Sequence, residues 1–149
     1  MSTEENRAIT RRWFEDFWNA KNPSVADEVL HSDYVHVAEE GYSAGVQSIQ
    51  ALKDGQAVWC RIAPDIHFTM DEVTAEGDTV VVRWTAQGTH QGEWDTGIGK
   101  LPASGKLLIT PGTSSFHFKD GKIIRDINHI DFLSSFQQVG AVIQMNKAE

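Results

Sequence analysis

Phe118-Lys119-Asp120-Gly121-Lys122-Ile123-Ile124-Arg125-Asp126-Ile127-Asn128-His129-Ile130-Asp131 sets an Asp-Gly pair between two runs rich in β-branched and aromatic residues. Asp-Gly signals a tight hairpin, because the favoured two-residue turn needs positive φ at both central positions. The spacing predicts strands over 104–118 and 122–131, joined at Asp120-Gly121. Upstream, Pro111-Gly112 interrupts the first of these strands. Proline cannot donate to a ladder, so a bulge or a sheet edge is expected there. Further back, 91–103 is Gly-containing and reads as a loop, and Thr79–Thr89 is a long β-branched strand. A turn at Ala75-Glu76-Gly77-Asp78 precedes it. Before that turn Ile66, Phe68 and Met70 alternate with His67, Thr69 and Asp71, the period-two pattern of a half-buried strand.

Ahead of Pro64 the period is helical. Ser2 with Glu5 forms a capping box, and Ile9, Trp13, Phe14, Phe17 and Trp18 recur at four- and five-residue steps as one wide apolar stripe. Asn22-Pro23 ends that helix and caps a short second one that closes near Leu30. A brief strand is predicted over 33–37. A third helix is predicted from about Ala44 to Ile62, burying Val46, Ile49, Leu52, Trp59 and Ile62, and Ser134–Gln144 reads as a short helix or tail. Helices first and antiparallel strands after is the α+β pattern. Three N-terminal helices laid against a strongly curved antiparallel sheet would enclose a cone-shaped pocket.

The 149 residues suit one domain over 1–149. Apolar types make up 40% of the chain, enough for a core without staples. The net charge of −8 repels phosphate backbones, and no Lys/Arg cluster offsets it, so a nucleic-acid partner is not expected. No apolar run approaches a membrane span, and the first residues lack the pattern of a secretory signal, so a cytoplasmic location is expected. Cys60 is the single cysteine; it offers no internal disulfide and reads as a small buried apolar residue. The histidines show no His-Glu-x-x-His spacing and no convergent third ligand, so no metal is expected. A sheet of this size has an outer face that the helices leave uncovered, which predicts a homodimer through that face.

Several landmarks occur in order along nearly the whole chain: Arg11–Asn19, Asp33-Tyr34-Val35, Ala63–His67, Ala75–Trp84, Gly88–Gly92, Phe118–Ile124, Asp131-Phe132-Leu133 and Gln138-Val139-Gly140. In this the sequence resembles the SnoaL-like polyketide cyclases of the nuclear transport factor two superfamily. The resemblance implies a cone-shaped α+β barrel, usually dimeric. It implies ring closure by intramolecular aldol condensation without metal or cofactor. Relatives on the fold include isomerases, hydroxylases, epoxide hydrolases and non-catalytic proteins, so a small-ligand-binding or dimerisation module is the alternative from a different class.

The resemblance also places the cyclases' acid/base aspartate at Asp131. A carboxylate in an apolar cone could take a proton from carbon next to a carbonyl and return it; the competing reading of Asp131 is a helix N-cap. His129, two residues earlier, would share its face and assist, which puts Asp126 and Asn128 on the opposite face, solvated or at a dimer surface. Family cyclases carry a histidine near the position of Ser114, and here the sequence departs from them. His117 lies three positions on, on the other face by parity. His36, Trp59, Trp84, Ser114 and Phe116 are candidate pocket-lining residues. His90 reads as a loop or strand-end histidine. Epoxide hydrolysis on this fold resembles an Asp–Arg–Asp set, but the position two after Arg83 is Thr85. The ligand expected from this reading is a small, mostly apolar carbonyl compound.

Overall fold

In a computed structural model, which describes residues 2–38, 45–142 and 144–145, Ser2 Oγ accepts from Glu5 N at 3.1 Å and starts helix α1, Thr3–Arg12. The wide apolar stripe then continues as a π-helix over Trp13–Asn19 rather than as more α-helix. The five-residue steps explain it: a π-turn carries i→i+5 bonds, and Trp13, Phe14 and Phe17 are all buried. Trp13 stacks on Phe17 with centroids 4.0 Å apart. The second helix, α2, is Val25–Val29; Asn22 does not cap it directly but accepts from the N–H of Ser24.

Strand β1 (Leu30–Ala38) and the short β2 (Gly45–Gln47) follow. Helix α3 covers Ile49–Ile62, with Ser48 Oγ accepting from Ala51 N at its start. It begins later than the expected Ala44, which lies outside the described residues; Val46 belongs to β2. Ile49, Leu52 and Trp59 are only partly buried against the core, and Leu52 and Trp59 line a cavity. Cys60 is half-buried against the same core.

The remaining strands are β3 (His67–Glu76), β4 (Thr79–Thr89), a small hairpin of β5 (Trp94–Asp95) and β6 (Lys100–Leu101), then β7 (Leu107–Lys119) and β8 (Lys122–Ile130). Helix α4, Phe132–Gln138, closes the fold. The hairpin falls at Asp120-Gly121, both with positive φ (53° and 75°). The main sheet has the order β2-β1-β8-β7-β4-β3. Its neighbours are antiparallel except for β1, which lies parallel to β8. This corrects the expectation of a wholly antiparallel sheet: β1 leaves α2 and reaches the sheet beside its last strand, so the two run the same way.

Pro111 sits where β7 loses its β8 partner. The β7–β8 ladder ends at Gly112 opposite Ile130, and Pro111 O takes the N–H of Asp131 instead. Its missing donor therefore faces a place where no strand continues, which is the edge alternative. Gly112 is needed for another reason: a Cβ there would lie 2.3 Å from the Trp84 ring. No described helix is long and apolar enough to cross a membrane.

Candidate active site

The concave side of the sheet, α3 and the π-helix surround a cavity of about 320 Å³. The chain has five tryptophans, and Trp13, Trp18, Trp59, Trp84 and Trp94 all line it. The only charged groups among its described lining residues are Asp95, which is exposed, and Asp126, which is 3% exposed. Ser114 and Asn128 lie beside Asp126 on facing positions of β7 and β8.

A bulge decides which β8 side chains point inward. His117 pairs with Arg125 but Phe118 with Ile123, so Ile124 is an extra residue in the ladder. An extra residue reverses the alternation beyond it. Ile123 faces the core, and past the bulge Asp126, Asn128 and Ile130 face the cavity. The expectation that Asp131 and His129 enter the cone is thereby corrected. His129 is exposed on the outer side, opposite Thr113. Asp131 is exposed at the start of α4, where its Oδ1 accepts from Ser134 N at 3.0 Å, the capping geometry. The expectation that Asp126 and Asn128 lie on the outside is corrected by the same bulge.

Of the expected lining residues, Trp59, Trp84 and Ser114 do line the cavity. Phe116 is buried behind the wall, edge-on to Phe14 at 5.9 Å. The backbone of His36 pairs with Gln47 and Asp126; its side chain lies outside the described residues. His117 is half-buried on the outer face near Thr79. His90 is fully buried with Nδ1 2.9 Å from Ser104 Oγ, outside the cavity wall. Arg83, the one residue matching the epoxide-hydrolysis set on its strand, is exposed and pairs with Glu72 at 3.4 Å.

Tyr34 on β1 is the partner that sequence reasoning missed. Its hydroxyl donates to Asp126 Oδ1. Burial first, and then the Asp126 charge, push the Tyr34 phenol far above its ordinary range, so it remains a donor. The Trp84 indole Nε1 donates to Ser114 Oγ at 2.8 Å, and Ser114 Oγ donates to Asn128 Oδ1 at 2.5 Å. The residue types alone do not mark the bulge, because isoleucines stand at 123, 124, 127 and 130 and fit either register. Among the described residues no group of three His, Cys, Asp or Glu side chains is placed to hold a metal ion.

A helix-lined cone closed by a bent, mostly antiparallel sheet is the fold shared by nuclear transport factor two and ketosteroid isomerase. The chain belongs to the SnoaL-like polyketide cyclase family, whose model matches residues 8–139. No curated protein matches its sequence. Among solved structures it is similar to a protein from Jannaschia sp. CCS1 assigned as a SnoaL-like polyketide cyclase, with 23% identity, 95% of each chain covered and a TM-score of 0.81. It is similar to AclR from Streptomyces galilaeus, assigned as a hydroxylase, with 22% identity, 98% of this chain and 87% of that one covered, and a TM-score of 0.82. A protein of ketosteroid isomerase-like fold from Catenulispora acidiphila, solved in complex with trimethylamine, gives 16% identity, coverage of 89% and 92%, and a TM-score of 0.70.

Proposed function

We propose that this protein is a cofactor-independent acid–base enzyme acting on a small, mostly apolar carbonyl compound by aldol-type cyclisation or isomerisation. The observation that carries the reading is Asp126, a buried carboxylate in the wall of a cavity otherwise lined mainly by aromatic and aliphatic side chains. Such a group, shielded from bulk water, can take the proton from carbon α to a bound carbonyl. The enolate carbon then forms a bond to a second carbonyl carbon, and the resulting alkoxide recovers the proton from the carboxyl group. In isomerisation the same proton returns to a different carbon. Carboxylates are the only charges among the described lining residues, which disfavours anionic ligands. In this reading the role that the family resemblance gives to Asp131 passes to Asp126. Asp131 instead holds α4, whose Phe132 forms part of the cavity wall.

The second reading is a non-catalytic small-ligand module, and the Tyr34–Asp126 bond favours it, since a satisfied buried pair also suits a structural role. The two separate in heavy water. Aryl ketones that bind, detected by quenching of the cavity tryptophans, are followed by NMR for loss of α-proton signal. Enzymatic exchange supports catalysis; binding without exchange leaves the ligand module. For assembly we propose a homodimer through the outer sheet face, where Leu107 and Ile109 are exposed apolar residues.

A further inference from the structure

The hydrogen-bond chain beside Asp126 has a direction. An indole N–H can only donate, so Ser114 Oγ accepts from Trp84. Ser114 is 3% exposed, and a buried hydroxyl proton needs an acceptor. Asn128 Oδ1, at 2.5 Å, is the one within reach among the described residues. The amide oxygen is thereby occupied, and the Asn128 Nδ2 protons are left as donors on a residue that lines the cavity. Asn128 and Asp126 leave the same face of β8 two residues apart, about 6–7 Å along the strand.

The geometry points to Asn128 as the group that binds the substrate's carbonyl oxygen, its amide N–H aimed into the cavity by Trp84 and Ser114 as positioning residues. A ketone oxygen on Asn128 Nδ2 sets its α-carbon on the Asp126 side. When Asp126 removes the proton, charge develops on that oxygen, and a preoriented donor holds it more strongly than the neutral ground state. This inference rests on the carbonyl-compound reading but asks a separate question: what grips the oxygen, not what moves the proton.

The probe is 2-acetylnaphthalene, a neutral aryl ketone, bound to the full chain and observed by infrared difference spectroscopy. In the parent protein its C=O band is expected below its position in hexane, the signature of a donated hydrogen bond. Asn128→Leu keeps the bulk without a donor; it should return the band to the hexane position and raise Kd about fivefold to tenfold. Ser114→Ala, the second variant should Asn128→Leu fail to fold, unlocks the amide and should broaden the band and shift it back part of the way, and Ser114→Thr should restore it. Asp126→Asn should leave the band lowered while abolishing α-proton exchange. Loss of exchange with the band intact would therefore concern the proton, not the grip. A ketone that does not bind, a band at the hexane position in the parent, or an equal band in parent and Asn128→Leu would overturn the assignment.

Discussion

Asp126 and Asp131 are five residues apart, an odd spacing that parts them, and the extra residue upstream at Ile124 makes Asp126 the inward one. Asp131 caps α4 from the surface, so Asp131→Ala should cost about 1 kcal/mol of stability in urea melts and leave ligand binding unchanged. The competing cap reading of Asp131 was legible from its place before Phe132-Leu133-Ser134; the inward turn of Asp126 was not, because the isoleucines of β8 fit either register. Ser114, Trp59 and Trp84 were legible because pocket walls of this kind recruit inward strand and helix positions. Tyr34 was not, since its partner comes from a strand 92 positions away. Gly112 makes a second residue-scale test. An alanine there would meet the Trp84 ring at 2.3 Å and force the indole off Ser114. Gly112→Ala should lose about 1–3 kcal/mol and shift the tryptophan fluorescence; an unchanged melt and spectrum would contradict the packing described.

At the scale of elements, two side-chain amides stand in for missing strands. Asn19, at the end of the π-helix, accepts from Phe68 N at 2.7 Å and donates to Phe68 O at 2.9 Å on the open edge of β3. Gln138 of α4 does the same for Ile109 at 2.7 and 2.8 Å, continuing the ladder that β8 abandons. Edge groups satisfied in this way are closed to other chains. Replacing either amide by alanine should cost about 1–2 kcal/mol, measured by denaturant melts. Strand periods and the hairpin were legible in residue types; the π-helix and these clamps depend on partners far away in the chain. Asp65 ties the end of β4 to the turn after α3 by accepting from Thr89 N at 2.7 Å and Thr89 Oγ1 at 2.8 Å. The Thr89 backbone bond, then its hydroxyl, holds the Asp65 carboxyl below the usual carboxylate range. Its folded pKa lies below the unfolded one, so its stabilisation is present above the unfolded value, about 3.9, and is lost as pH falls through the folded value. Asp65→Asn should therefore be less stable than the parent at about pH 7, with the difference closing towards about pH 2.

For the whole molecule, α+β order, the curved sheet and the family were all readable in the residues, whereas the parallel seat of β1 beside β8 was not: strand order within a sheet is set by which faces need cover. The same argument supports the proposed dimer, and light scattering should give twice the chain mass; a concentration-independent monomer would contradict it. The central claim is that the cavity's working carboxylate is Asp126. Its most direct test compares α-proton exchange of a bound aryl ketone in heavy water for the parent, Asp126→Asn and Asp131→Asn. The predicted result is a loss of at least about a hundredfold for Asp126→Asn and near-parent exchange for Asp131→Asn. Exchange that survives in Asp126→Asn and disappears in Asp131→Asn would contradict it.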